Sequence, residues 1–194
     1  TPRLSSAASD VYKRQWSSPN INGDDISPLK SLLESLPSRF GAIGAELGKE
    51  MTIRMPVLDF SLLQDNSKFD IVDGTSLIWK LRTVKTINEI KKIERVTHIV
   101  SDVFEILPTL ISINDSERDV ARKFKREILK RGADSIPYLP VVSGKGGVSQ
   151  IIGNPTSKLI SSGDFLYIDT GTTFDGYFCD FDRNFTIGKA SEVV

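Results

Sequence analysis

The spacing of apolar positions along the chain changes twice, and each change marks a different kind of structure. In the first stretch, Ser27-Pro28 sets a capping hydroxyl before a proline suited to the first helical turn, predicting a helix over 29–36 that ends at Pro37. Residues 40–45 form a short, Gly-punctuated apolar run that predicts a strand. Residues 50–63 predict a helix interrupted near Pro56, and 69–72 a strand before a turn at Asp73-Gly74. Helix, strand, helix, strand is an α/β pattern, so 16–80 is read as the remnant of a small α/β domain.

From Thr86 the period becomes helical. Thr86-Ile87-Asn88-Glu89 is a capping box, in which Thr accepts a free backbone N–H and Glu reaches back to the cap. Ile90, Ile93, Val96, Val100, Val103 and Leu107 then form one apolar stripe, with Pro108 at or near its end. The box repeats at 116–119, and Val120, Phe124, Ile128 and Leu129 line a second helix, with Gly132 where a left-handed cap is expected. These predict two long helices covering a sheet.

From Tyr138 the period is two. Residues 138–142 predict a strand running into the loop Ser143-Gly144-Lys145-Gly146-Gly147, and 165–173 and 177–187 predict two more strands joined through Asp175-Gly176. A two-residue Asp-Gly loop is a strong hairpin signal because both residues tolerate positive φ. It pairs Phe174 with Tyr177, Asp169 with Asp182 and Gly171 with Asp180, all of the last four on one face. Asp169 and Asp180 are then diagonal neighbours, roughly 7–8 Å apart at the backbone, and Gly171 leaves a hole opposite Asp180. Three carboxylates on one patch repel each other unless neutralised, and a divalent cation, or a pair sharing one carboxylate, answers that need with Mn, Fe, Co or Zn. On geometry alone, a solvated hairpin face with ordinary surface Asp fits equally well.

Composition narrows the partners. Lys+Arg and Asp+Glu balance at 25 each in 194 residues, so no net field favours nucleic acid or a membrane surface. No apolar run of membrane-spanning length occurs and no signal-type segment opens the chain, so the expected compartment is the cytoplasm. The single cysteine, Cys179, excludes an intramolecular disulfide and alternates away from the acids, which reads as a packing residue. Residues 1–15 are small and polar without a usable period, and read as translated adaptor sequence outside the fold.

The run Asp169-x-Gly171 through Gly176-Tyr177-x-x-Asp180, followed by Arg183 and Phe185, resembles the metal hairpin of the pita-bread metallopeptidases: aminopeptidase P, prolidase, methionine aminopeptidase and creatinase. Gly163-Asp164 before the first strand fits the same pattern, as does Arg82-x-x-Lys85 with Glu89-Ile90 at the long helix. The resemblance implies an α+β fold. Residues 84–194 become the first half of an incomplete pita-bread catalytic domain, preceded by a remnant, 16–80, of a creatinase-type N-terminal domain. It implies that Asp169 binds one of two divalent metal ions and Asp180 both, with Gly171, Tyr177, Asp182 and Arg183 around them. The remaining family ligands, a His and two Glu, come from later strands. The only histidine, His98, lies beside the apolar stripe and reads as structural.

Two positions depart from the resemblance. Ile151, beside Gln150, stands where the peptidases carry a substrate-holding His, and Asp182 stands where they usually carry Thr. The expected function is hydrolysis of a C–N bond in Xaa-Pro peptides or dipeptides, by a protein of which this chain is a fragment, inert alone; relatives are often homodimers. The alternatives are a creatinase- or ectoine-hydrolase-like enzyme, or a lyase, acting on a small non-peptide, and a non-catalytic binding protein on the same fold. The Gly-rich loop at 143–147 lacks the full phosphate-binding pattern and reads as a flexible rim.

Overall fold

Both capping boxes form as their sequences dictate, and between them they set the two main helices. The computed structural model describes residues 26–37 and 41–189, in two compact units divided between Val84 and Lys85. The segment 1–15 lies outside the described residues.

The first unit holds α1 (Ser27–Ser35), β1 (Ala42–Ala45), α2 (Val57–Asn66), β2 (Asp70–Asp73) and α3 (Thr75–Thr83). Helix α1 has Ile26 at its cap, one position before the expected Ser27, with Ser27 and Pro28 in its first turn. Pro56 caps α2 instead of interrupting it, because a proline fits only where a helix has no N–H to lose. β1 and β2 pair in parallel, Ala42 opposite Asp70 through Ala45 opposite Asp73. Helix α3 follows β2 directly: the Thr75 N–H donates to Asp73 Oδ1 at 2.9 Å, closing the turn.

The second unit opens with α4 (Ile87–Leu110). The Thr86 N–H donates to Glu89 Oε2 at 2.6 Å while the Glu89 N–H donates to Thr86 Oγ1 at 3.4 Å. Pro108 sits inside the last turn of α4. Helix α5 (Glu117–Lys130) repeats the arrangement between Ser116 and Asp119, each bond 3.1 Å. It closes on Gly132, at φ 93°, with the Gly132 N–H donating to Leu129 O and the Ala133 N–H to Ile128 O.

The expected single strand over 138–142 is two, β3 (Ser135–Tyr138) and β4 (Val141–Lys145), broken at Leu139-Pro140 where proline cannot donate to a ladder. Both pair antiparallel with the central strand β5 (Asp164–Phe174), β4 against Asp164–Ile168 and β3 against 171–173. Pro140 still contributes its carbonyl, which accepts the Asp169 N–H at 3.1 Å. Strand β6 (Tyr177–Thr186) pairs with β5 through the Asp175-Gly176 turn, both at positive φ (47° and 80°).

One face of this sheet is the core. Leu166 and Ile168 of β5 and Cys179 of β6 pack with Val96, Val100, Val103, Leu107, Phe124 and Ile128. Phe104 of α4 joins the helices to the hairpin, its ring centroid 4.8 Å from Phe124, 5.7 Å from Phe181 and 6.1 Å from Phe185. Truncating it leaves a cavity shared by helix and sheet. Phe104→Ala is therefore expected to destabilise the second unit by about 3–5 kcal/mol in chemical denaturation. A loss below about 1 kcal/mol would show that the aromatic cluster does not join them.

Candidate metal centre

The register fixes which side chains share the other face. Asp169 stands opposite Asp182, and Gly171 opposite Asp180, as the two-residue turn requires. On the far side of β5, Tyr138 pairs with Gly171 and Val142 with Tyr167. The acid face thus carries Asp169, Asp180 and Asp182 together with Tyr138, Tyr167 and Phe178, because paired residues project the same way.

No hole remains at Gly171. A Cβ built there would stand 2.1 Å from Phe178 Cζ, so the aromatic ring lies over the glycine. Phe178 is 45% exposed and forms an apolar wall beside Asp180. Glycine at 171 is needed for the ring to lie there.

The acids are crowded, and no described cation pairs with them. Among the described residues, no Lys or Arg forms an ion pair with Asp169, Asp180 or Asp182. Burial, then the charge of Asp180, push the Asp169 carboxyl above its ordinary value, with Asp182 adding to the effect and bonds from the Thr170 N–H and Tyr167 opposing it. The Tyr167 hydroxyl donates to Asp182 Oδ2 at 3.0 Å. Burial and that bond, with the charges of both acids, push the Tyr167 phenol well up. Burial, then the charge of Asp169 and a bond to it, also raise the Tyr138 phenol. Both phenols therefore stay neutral, and Tyr167 keeps its proton for the bond to Asp182. Oxygen donors crowded on one face, with no protein cation among them, fit a divalent ion.

The remaining named residues lie elsewhere. Arg183 donates from Nη1 to the Asp182 main-chain oxygen at 2.6 Å, and its guanidinium lies over the Phe181 and Phe104 rings, 5.0 and 5.9 Å from their centroids. It belongs to the helix face and leaves the Asp182 carboxylate unneutralised. Tyr177 also faces the helices, its hydroxyl donating to Glu89 Oε1 at 2.9 Å. Ile151 is 54% exposed in the connection between β4 and β5. His98 is on α4, in a shallow groove with Lys85, Ile90, Ile93, Glu94 and Thr97. Among the described residues, no group of three or more His, Cys, Asp or Glu side chains gathers in metal-binding proximity. Tyr167 was within reach of period-two reading, two residues before Asp169. Tyr138 and Phe178 needed the strand pairing and the packing.

The sequence profile of metallopeptidase family M24 matches residues 91–194, more than half the chain. The chain belongs to metallopeptidase family M24. Its second unit, mixed helix and sheet, is part of a pita-bread domain. Among M24 relatives, the uncharacterized peptidase YqhT of Bacillus subtilis is 31% identical over 126 residues, covering 65% of this chain and 36% of that protein. The probable dipeptidase PepE of Mycobacterium tuberculosis is 28% identical over 175 residues, covering 90% of this chain and 44% of that one. Among solved structures, a dipeptidase from Pyrococcus horikoshii superposes with a TM-score of 0.72 at 25% identity, over 96% of this chain and 51% of that one. An Xaa-Pro dipeptidase from Bacillus anthracis gives 0.65 at 27% identity, over 72% and 39%. The chain therefore spans under half the length of the curated M24 relatives it matches. Membership of the metallopeptidase family implies divalent metal ions. No described helix is long and apolar enough to cross a membrane.

The charge crowding has a measurable sign. A carboxyl whose pKa is raised by folding destabilises the fold when ionised, and neutralising it relieves that cost. Asp169→Asn is expected to raise the thermal midpoint of the metal-free protein by a few degrees in calorimetry at neutral pH. A fall would mean that the Asp169 charge is already compensated.

Proposed function

We propose that this chain supplies the leading part of an M24 enzyme that hydrolyses a C–N bond, with two divalent cations held in part by Asp169 and Asp180. The observation that carries this reading is the pair of carboxylates, Asp169 and Asp180, on one face of a hairpin with no ion pair from the described Lys or Arg. A divalent cation at such a site supplies a water of lowered pKa and polarises the scissile carbonyl. The protein's own residues would orient and insulate. Tyr167 holds Asp182, Tyr138 shares the face of Asp169 and Asp180, and Phe178 sets an apolar ring over Gly171 beside them.

Xaa-Pro peptides or dipeptides are the proposed substrate class, supported by relatives named for that activity. Manganese, cobalt, iron and zinc all suit the carboxylates. A second reading, hydrolysis of a small non-peptide, draws on Ile151: an apolar side chain cannot donate a hydrogen bond to a developing oxyanion. Residues 16–80 are assigned to the remnant of a small α/β N-terminal domain, and the remaining metal donors to parts of the whole protein outside this chain.

In calorimetric titration the 194-residue chain is expected to bind Mn²⁺ weakly. Binding should be lost in Asp169→Asn and Asp180→Asn and kept in Asp182→Asn, with no measurable Xaa-Pro hydrolysis. Binding untouched by the first two substitutions would remove Asp169 and Asp180 from the metal set. Hydrolysis by the chain alone would overturn the assignment of essential donors to other parts of the protein.

A further inference from the structure

The two faces of β4 serve different neighbours. Val142 pairs with Tyr167 and stands on the acid face, whereas Ser143 pairs with Leu166 and stands on the helix face. The chain leaving β4 turns at once: the Gly147 N–H donates to Gly144 O at 3.3 Å, with Gly146 and Gly147 at φ 73° and 120°. It then reaches the acid face. Gly153 lies so close to Val142 that a Cβ there would stand 2.7 Å from Val142 Cγ1. Tyr167, the cross-strand neighbour of Val142 on that face, is only 5% exposed. By Thr156 the chain has returned to the N-terminus of α5.

At that point it meets a buried carboxylate. Glu117, the first residue of α5, is 3% exposed. Its Oε1 accepts the Ser143 N–H and hydroxyl, both at 2.8 Å, and its Oε2 accepts the Thr156 N–H at 3.0 Å and hydroxyl at 2.7 Å. The Lys158 amine donates to Ser143 Oγ at 3.1 Å and to the Ser143 carbonyl. The backbone seals the junction, with the Glu117 N–H donating to Lys158 O at 3.0 Å and the Arg118 N–H to Thr156 O at 3.1 Å. Burial pushes the Glu117 carboxyl up, yet the bonds from Thr156 and Ser143 outweigh it and hold the group below its ordinary range.

We infer that Glu117 is a positioning residue, whose carboxylate latches both feet of the 144–155 loop and so sets where the rim of the acid face stands. One oxygen serves the outgoing foot and the other the returning foot, and the grip comes from the side of the sheet opposite the acids. The loop carries an exposed apolar pair, Ile151 and Ile152, at 54% and 70% exposure, and the latch decides where that pair is presented. When the latch fails, the loop opens as a unit about Gly146-Gly147, while α5 and the β5–β6 hairpin keep their own caps, ladder and core. This role does not depend on the cation.

The test is amide hydrogen exchange by mass spectrometry on the full chain, comparing wild type, Glu117→Gln, Thr156→Val and Thr156→Ser. Glu117→Gln and Thr156→Val are expected to speed exchange of the hydrogen-bonded amides at the two feet of the loop, Ser143, Gly147 and Thr156, about tenfold or more, with β5 and β6 unchanged. Thr156→Ser, which keeps the hydroxyl, should match wild type. If Glu117→Gln does not fold, the Val and Ser pair at 156 decides. Unchanged loop exchange in Thr156→Val, acceleration spread evenly over 87–189, or failure of Thr156→Ser to restore the wild-type pattern would each overturn the inference.

Discussion

A two-residue turn leaves a hairpin no freedom of register, and here Asp175 and Gly176 make that turn with left-handed backbone at both positions. Every pairing from Phe174–Tyr177 to Phe165–Thr186 follows from it. Slipping the register by one residue would exchange the faces, burying Asp180 and Asp182 under α4 and exposing Cys179 and Phe181. The turn is also tied down from outside. Asp134 accepts the Asp175 N–H at 2.6 Å, Lys92 pairs with Asp175 at 2.8 Å, and Tyr177 donates to Glu89. Glu89 thus serves twice, capping α4 with one oxygen and holding the hairpin with the other.

The sheet between these elements separates two environments. Its helix face is dry: Leu166, Ile168, Thr170 and Thr172 are fully buried, and the two threonine hydroxyls share one hydrogen bond at 3.1 Å. Its other face concentrates negative charge, with no described Lys or Arg paired to it. A protein keeps such a face when something outside the chain neutralises it, and membership of a metallopeptidase family names the kind of partner. Phe178 over Gly171 puts an apolar surface beside the acids, where a lower local dielectric strengthens any cation–carboxylate attraction.

Features that depend on a few neighbouring residues were legible in the sequence. The two capping boxes, the Gly132 cap and the acid register all rest on local chemistry, and the structure has them where the residues predict. The misses have equally physical causes. Helix α3 was not foreseen because Leu77 and Leu81 are exposed, so no buried stripe marks it. The break at Pro140 splits one expected strand into two because a missing N–H matters only once a ladder partner is known. The supposed hole at Gly171 is filled by a side chain seven residues away, and the Glu117 latch joins residues 26 and 39 positions apart. Neither could be read without the tertiary arrangement.

The central claim is that Asp169 and Asp180 together hold a divalent ion. Anomalous diffraction at the manganese edge, from crystals of this chain grown with Mn²⁺, tests it most directly. A peak is expected between the two carboxylates, at oxygen-ligand distances from both Asp169 and Asp180. A peak elsewhere on the molecule, with these carboxylates unliganded, would contradict it.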